Sequence, residues 1–220
     1  NIGAAASKEK GARLSTTPFF ILLDAHMRFY DDRWLKRYLE ELKRDDRRIL
    51  CCQTRWLSKQ NGVVDDGIDA STWGAFLKFE DTDFPPSIHW RSYKSDKLLA
   101  RNEIPAVLGA TYGASKRYWN RIKGFQGLIH YGCEEAYISM KAYLEGGSCT
   151  FLDDVVIGHI YRKQSPYTVR YAESVYNNFL IIQTLFPLQM RFKALERIRV
   201  LHPDLFAKAE EMLAMRVDDW

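Results

Sequence analysis

Long hydrophobic runs are missing from this sequence of 220 residues. No run reaches the roughly 18 apolar residues that a membrane-spanning helix needs, and no signal peptide opens the chain. Cysteine is also scarce, and the four residues form neither a CxxC zinc motif nor a disulfide framework: Cys51, Cys52, Cys133 and Cys149. We therefore expect a protein without a membrane span, with reduced thiols and a cytoplasmic location.

Strong charge of one sign is absent as well. The net charge is +4 and the sequence pI is about 8.8. This mild excess suits a small anionic ligand such as a nucleotide, and it gives no support to nucleic-acid binding. The chain is 46% hydrophobic and 14% aromatic, enough for a packed core. We predict one domain over residues 1–170 and a helical extension over 171–220.

One apolar run organises the chain. Residues 19–23 are five consecutive apolar residues, which predict a strand buried on both faces inside a largely parallel sheet. Asp24, Ala25 and His26 follow directly. Side chains two apart in an extended chain face the same way, so Asp24 and His26 could share one cation. Their oxygen and nitrogen donors suit Mn²⁺, Fe²⁺ or Zn²⁺. The alternative is that Asp24 caps a turn and His26 has no role in binding.

The remaining pattern alternates strands and helices, which predicts an α/β fold with a mixed sheet. Residues 60–103 have no clean period and read as a long irregular insertion. Predicted strands cover residues 48–57, 104–114 and 149–157. Predicted helices cover residues 1–11, where Gly11 ends the helix, the stretch after Asp32, residues 115–122, the stretch after Cys133, and three segments after Ala172 broken at Pro187 and Pro203.

A second histidine follows the last predicted strand. His159 could complete a three-ligand site with Asp24 and His26 that leaves positions open for a substrate. The basic loop after it contains Arg162, a residue type that clamps phosphate oxygens, and Tyr167, which could cover a ribose or diphosphate. Glu134 and Glu135 open a predicted helix. The alternative for this acid pair is that it simply complements the helix dipole.

Four motifs in this order resemble those of the polypeptide N-acetylgalactosaminyltransferases and their bacterial relatives, which are glycosyltransferases of the A-type (GT-A) fold. The first is the strand ending in Asp24-Ala25-His26. The second is a small-residue strand after a proline. The third is an aromatic-Gly-Gly-Glu segment that opens a helix. The last is the most specific, a Gly-His-x-aromatic-Arg-Lys-x-x-Pro-Tyr element. The matching residues are 22–26, 105–112, 131–134 and 158–167.

The resemblance implies a metal-dependent transferase that moves a sugar, such as an N-acetylhexosamine, from a UDP-sugar to a hydroxyl of a polypeptide or glycan, with retention. Asp24, His26 and His159 would bind Mn²⁺, and Glu134 would hydrogen-bond the donor sugar. Further donor-binding residues would be those lining the sugar pocket and those closing over the diphosphate: Ala25, Gly109, Ala110, Tyr131, Gly132, Arg162 and Tyr167.

The sequence departs from the family pattern at three points. Cys133 replaces the second glycine of the motif, which predicts a narrower sugar pocket. Glu135 replaces a neutral amide, so Glu134 or Glu135 could be the catalytic base of an inverting enzyme. The family's opening strands, which hold the nucleotide base, would precede Asn1, so this chain is expected to hold the metal half of the fold.

Two other functions remain open on the sequence alone. A metal-dependent hydrolase could use the same three ligands to activate water. Alternatively, the chain could be a non-catalytic fragment or subunit, with the apolar stripes of its C-terminal helices binding a partner chain or a second copy.

Overall fold

The computed structural model describes residues 2–60, 63–65, 71–78, 87–90, 102–161, 168 and 170–216. The helices are α1 (Gly3–Leu14), α2 (Trp34–Arg44), α3 (Lys116–Arg121), α4 (Glu134–Leu144), α5 (Tyr171–Leu185), α6 (Leu188–Leu201) and α7 (Pro203–Met215). The strands are β1 (Phe19–Leu23), β2 (Met27–Phe29), β3 (Arg48–Gln60), β4 (Val63–Asp65), β5 (Ser71–Thr72), β6 (Ala75–Lys78), β7 (Ser87–Trp90), β8 (Thr111–Ser115) and β9 (Ser148–Ile160).

A mixed sheet forms the centre of the fold, as predicted. Its strand order is β1-β8-β3-β9-β2, with β4 and β5 also paired to β3. The long strands β3 and β9 run parallel, whereas β1, β8 and β2 each pair with a neighbour in the antiparallel sense. Helices flank the sheet, and the C-terminal part is helical. The predicted α/β fold with a mixed sheet is therefore confirmed, while the boundary at residue 170 stays a prediction.

The paired strands β3 and β9 run from the hydrophobic core towards the predicted ligand His159. Buried residues such as Ile49, Leu50 and Phe151 pack between the flanking helices. The register shifts after Cys52, where Gln53 pairs with Val156. Such an irregularity increases the local twist and bends the strand. Beyond it β9 continues to Ile160, which extends the predicted strand by three residues and brings His159 into the ladder opposite Trp56.

The prediction that residues 19–23 form a strand is confirmed, but the prediction that this strand is buried on both faces inside a largely parallel sheet was wrong. Among the described strands, β1 lies at the end of the sheet and pairs antiparallel with β8. Its residues are half-buried, and Leu23 is exposed. Phe20 packs on one core cluster and Ile21 on another, so helices cover both faces. A run of apolar residues indicates that both faces of a strand are covered. It does not indicate whether the strand lies at the edge or in the centre of its sheet.

Two element boundaries also differ from prediction. Helix α1 continues past Gly11 to Leu14 because Gly11 keeps helical backbone angles, and a glycine ends a helix only where it turns left-handed. In the small-residue segment, the strand is confined to β8. Residues 104–110 form no strand, although Ala106 makes an isolated antiparallel bridge with Ala75. Two other predictions are confirmed. Ser115 caps helix α3, because its hydroxyl accepts a hydrogen bond from the backbone N–H of Tyr118. The helical segment also breaks at Pro187.

The last three helices pack on the same body. Leu180 and Ile181 of α5 belong to the main core cluster. Helices α6 and α7 add a second cluster that includes Ala194 and Ile198. None of the described helices is both long and apolar enough to cross a membrane.

Candidate functional site

A short turn carries the chain from β1 to β2 and contains two of the predicted ligands. The backbone N–H of Asp24 donates to Ala110 O at 3.1 Å, and the N–H of Ile160 donates to His26 O at 3.3 Å. Met27 pairs with His159 in the β2–β9 ladder. The two histidines therefore meet because β2 runs antiparallel alongside β9. The expectation that His159 follows a strand end was wrong, since it lies within β9.

Asp24 and the two histidines are direct neighbours. Nε2 of His159 lies 3.1 Å from Oδ2 of Asp24. The imidazole rings of His26 and His159 are 4.6 Å apart between centroids, at an angle of 33°. The separation of 3.1 Å is short enough for a hydrogen bond, but the oxygen lies off the N–H direction. Neither ring nitrogen of the buried His159 therefore has an aligned hydrogen-bond partner.

Asp24 is held in its ionised form. Burial opposes ionisation, but contact with His159 and the charges of Lys8 and the two histidines lower the pKa of Asp24. Lys8 Nζ lies 3.7 Å from the other carboxylate oxygen, Oδ1. The carboxylate thus presents one oxygen to His159 and the other to Lys8.

The donor set fits a divalent cation, although it is not a finished coordination sphere. Within the described ranges, no group of three or more His, Cys, Asp or Glu side chains could hold a metal ion as it stands. Two donors bound to one ion at about 2.1–2.2 Å and at right angles lie about 3 Å apart. The separation of 3.1 Å between His159 Nε2 and Asp24 Oδ2 matches that spacing. Among the described residues neither nitrogen of His159 makes an aligned hydrogen bond, so either nitrogen could act as a ligand.

The acid pair lies at the N-terminus of α4. Oε2 of Glu134 accepts a hydrogen bond of 2.8 Å from the backbone N–H of Gly132, whereas the buried Oε1 has no hydrogen-bond partner. Glu135 lies against Gly109, where an added Cβ would be 1.9 Å from Oε1 of Glu135. Burial, followed by the charge of Glu135, raises the pKa of Glu134. Glu134 is therefore suited to accept a hydrogen bond from a ligand hydroxyl.

A strained loop before α4 sets the position of Glu134. His130, Gly132 and Cys133 all have positive φ, a conformation that costs energy for residues other than glycine. The fully buried Asn177 of α5 holds the loop, since its amide donates to the carbonyls of Ile129 and Gly132 and its oxygen accepts from the N–H of Ile129. The thiol of Cys133 donates to Asn178 of α5, and the predicted narrowing of the sugar pocket by Cys133 stays a prediction.

The other predicted residues have mixed outcomes. Gly109 contacts Glu135 and Ala110 contacts Asp24, whereas Ala25 and Tyr131 are exposed. Arg162 and Tyr167 lie outside the described residues.

Two described cavities do not adjoin the predicted residues. One of about 460 Å³ is lined by Arg37, Arg48 and Asp154, and the other, of about 610 Å³, by Arg13, Phe125 and Arg216 among others.

Sequence reasoning missed two side chains of the site. Lys8 lies near the buried face of α1 that includes Ala5 and Ala12, and a lysine on such a face is a signal that could have been used. Asn177 sits in the middle of an apolar stretch of α5. A buried amide in an apolar helix needs polar partners, but only the fold identifies them.

Comparison with known proteins shows what the sequence and the fold are similar to. Residues 1–84 match the family described as Glycosyl transferase family 2. The chain is 26% identical over 185 residues to human polypeptide N-acetylgalactosaminyltransferase 18 and 24% identical over 180 residues to human polypeptide N-acetylgalactosaminyltransferase 10. The crystal structure of GalNAc-T7 with UDP, GalNAc and Mn²⁺ superposes with a TM-score of 0.66 at 17% identity, over 99% of this chain. In sequence and in fold the chain is therefore similar to glycosyltransferases of the GT-A type.

The chain spans only part of the length of the proteins it matches. The aligned regions cover about 80% of the chain but only 29% of either human transferase, and 42% of the GalNAc-T7 chain. The similarity therefore places this chain within the fold and leaves the activity of the longer relatives as a matter for proposal.

The raised pKa of Glu134 predicts that the free energy of unfolding depends on pH. Between the unfolded pKa near 4.5 and the higher folded pKa, the unfolded carboxyl ionises before the folded one, so stability falls as pH rises through this window. The variant Glu134→Gln has no carboxyl at this position, so its stability should not fall in this way as pH rises. Its amide oxygen can still accept a hydrogen bond from the backbone N–H of Gly132. We expect it to gain about 1–3 kcal/mol relative to the wild type between pH 5 and pH 8.

Thermal unfolding at pH 5 and pH 8 measures this difference. Glu196→Gln, at an exposed site on α6, is the matched control and should show the same change as the wild type. A difference in melting temperature between Glu134→Gln and the wild type that is equal at both pH values would contradict the buried-carboxyl account.

Proposed function

We propose that this chain is the metal- and acceptor-binding part of a metal-dependent glycosyltransferase. It would move a sugar, an N-acetylhexosamine, from a UDP-sugar to a hydroxyl of a polypeptide or glycan, with retention of anomeric configuration. One observation carries the proposal: the Asp24 carboxylate touches the unpartnered imidazole of His159 beside His26. The similarity to polypeptide N-acetylgalactosaminyltransferases supplies the substrate class.

Asp24, His26 and His159 would hold the cation. A divalent cation supplies positive charge opposite the leaving diphosphate, and such electrostatic stabilisation is usually a large catalytic contribution. Because Asp24 is ionised and one of its oxygens faces His159, the carboxylate needs no proton loss before it binds. GalNAc-T7 was crystallised with Mn²⁺, and Mn²⁺ suits the mixed oxygen and nitrogen donors here.

Glu134 and Gly109 would form the sugar pocket. The unpartnered Oε1 of Glu134 would accept a hydrogen bond from a sugar hydroxyl, and Gly109, whose missing side chain leaves space for the carboxylate of Glu135, would line the pocket beside it. In the retaining reaction, the bond between the anomeric carbon and the diphosphate oxygen breaks. A new bond forms to the acceptor oxygen on the same face, and the acceptor's proton passes to the departing diphosphate.

Thermal-shift measurements with Mn²⁺, UDP and both together test the proposal. We expect UDP to raise the melting temperature only when Mn²⁺ is present. Stabilisation by Mn²⁺ without any further effect of UDP would favour a metal-dependent hydrolase. No response to either compound would contradict an enzymatic role and favour a subunit that binds a partner.

The Gly109 position gives a sharper test of the pocket. In Gly109→Ala the new Cβ would lie 1.9 Å from Oε1 of Glu135, so the end of that flexible side chain must move into the pocket region. We expect a loss of stability of only about 1 kcal/mol, because a side-chain end rather than backbone yields. The affinity for UDP-N-acetylgalactosamine should fall at least about tenfold.

Gly11→Ala is the control, because an added Cβ there meets no atom within 4 Å. It should leave nucleotide-sugar affinity unchanged and stabilise the helix slightly. Calorimetric titration with UDP-N-acetylgalactosamine and Mn²⁺ measures both variants. Equal affinity in Gly109→Ala and the wild type would exclude Gly109 from the pocket.

A further inference from the structure

A group of aromatic rings adjoins the predicted ligand His159. Tyr161 follows β9 directly, and its ring meets the imidazole of His159 edge to face, with 4.4 Å between the centroids and 80° between the planes. Side chains two positions apart in an extended chain face the same way, which explains why these two rings meet. The imidazole of His26 lies 4.6 Å from that of His159. His159 therefore contacts the rings of both Tyr161 and His26.

No hydrogen bond from the described residues fixes the orientation of the His159 imidazole. A histidine that binds a metal usually donates its second N–H to a carboxylate or a carbonyl, and that bond orients the ring. In His159, Nε2 lies 3.1 Å from Oδ2 of Asp24, so Nδ1 is left for the orienting contact. Nδ1 is buried and has no hydrogen-bond partner in the described part of the chain. The ring of His159 must therefore be oriented by packing.

The orientation of this ring decides whether His159 can act together with Asp24. The torsion between Cβ and the ring of a histidine has only a broad intrinsic preference, so the surroundings choose the angle. A rotation of the imidazole about its Cβ–Cγ bond would carry Nε2 away from Oδ2 of Asp24 and lose the separation of 3.1 Å. That separation is the one that two ligands of a single ion need.

Tyr161 is itself held by two tryptophans. Its ring lies 4.6 Å from that of Trp56 and 5.1 Å from that of Trp90. Trp56 is paired with His159 in the β3–β9 ladder, so one support of Tyr161 comes from the strand beside the ligand. Trp90 belongs to β7 of the two-stranded sheet. Aromatic rings at these distances have preferred geometries, so a held Tyr161 ring can restrict the rotation of the His159 ring.

We propose that Tyr161 is a positioning residue, whose ring holds the imidazole of His159 in the orientation in which Nε2 can bind a divalent cation. Trp56 and Trp90 act through Tyr161. The proposal rests on the proposed function, since it requires a cation bound by His159. It assigns the effect to the aromatic ring of Tyr161 and not to its hydroxyl.

Titration of the 220-residue chain with Mn²⁺, followed by electron paramagnetic resonance of the free ion, tests this assignment. Tyr161→Leu removes the flat ring and should weaken Mn²⁺ binding about 10- to 100-fold, the usual cost of losing an outer partner of a metal ligand. Tyr161→Phe keeps the ring and should bind Mn²⁺ as tightly as the wild type. Electron spin-echo modulation registers the imidazole nitrogens bound to Mn²⁺, and we expect this modulation to weaken only in Tyr161→Leu.

Phe206→Leu is the matched control. It removes a ring pair of the same kind from α7, where the ring of Phe206 lies 4.7 Å from that of Phe179. Because this pair belongs to the C-terminal helices, its loss should leave the affinity for Mn²⁺ unchanged. A similar weakening in Phe206→Leu and Tyr161→Leu would contradict the proposal, since the titration would then report a general loss of packing.

Two further results would overturn the role of Tyr161. One is wild-type affinity for Mn²⁺ in Tyr161→Leu. The other is equal weakening in Tyr161→Leu and Tyr161→Phe, because the hydroxyl would then be responsible. If Tyr161→Leu does not fold, Trp56→Leu replaces it and should also weaken Mn²⁺ binding, and unchanged affinity there would count against the proposal. A wild type that binds no Mn²⁺ would overturn the proposed function itself.

Discussion

Replacement of Asp24 by asparagine is expected to weaken Mn²⁺ binding by more than about 100-fold, since removal of even an outer partner of a metal ligand costs about 10- to 100-fold. The amide has nearly the shape of the carboxylate but lacks its charge. The backbone N–H of residue 24 still donates to Ala110 O, so the turn should keep its conformation. Titration of Mn²⁺ followed by electron paramagnetic resonance of the free ion measures the change.

Asp31→Asn is the matched control for this measurement. Asp31 follows β2 by two positions and pairs with Arg33 near the surface. Its replacement should leave Mn²⁺ affinity unchanged. Wild-type affinity in Asp24→Asn would show that the cation binds elsewhere or not at all.

Replacement of Asn177 by leucine is expected to destabilise the fold by about 3 kcal/mol or more, because each buried polar group left unsatisfied costs about 1–3 kcal/mol. Leucine has nearly the shape of asparagine, but it cannot form hydrogen bonds. The N–H and C=O of Ile129 and the C=O of Gly132 would therefore lose their partner. For a chain of this size, a loss of 3 kcal/mol lowers the melting temperature by about 6–12 °C. Denaturant unfolding and thermal unfolding both measure the effect.

The neighbouring Asn178 provides the control. The one hydrogen bond seen for the Asn178 side chain in the described part of the structure comes from the Cys133 thiol, which is a weak donor. Asn178→Leu should therefore lower the free energy of unfolding by less than about 1 kcal/mol. Similar losses in the two variants would mean that the Asn177 contacts do not hold the loop before Glu134.

The sequence predicted what depends on local pattern. Asp24 and His26 could be assigned to one site because they are two positions apart after an apolar strand, and Glu134 because it opens a helix after glycine. The pairing of Asp24 with His159, more than a hundred residues away, could be proposed from the motif. Its cause was not predicted, since the antiparallel ladder between β2 and β9 involves a strand of only three residues.

The features that were missed depend on tertiary packing. The place of β1 at the end of the sheet depends on which strand pairs with it, and five apolar residues carry no such information. Gly11 could have ended α1, but nothing in the local sequence shows that its backbone stays helical. Lys8 lies beside Asp24 and donates a hydrogen bond to Tyr112, which is 104 positions away in the chain.

The central claim is that one divalent cation is shared by Asp24, His26 and His159, and anomalous diffraction tests it most directly. Crystals grown with Mn²⁺ and UDP should show one strong anomalous peak within about 2.0–2.3 Å of a side-chain donor atom from each of the three residues. A Mn²⁺ ion coordinated by other side chains, with the imidazole of His159 still contacting Asp24 and no metal, would contradict the account.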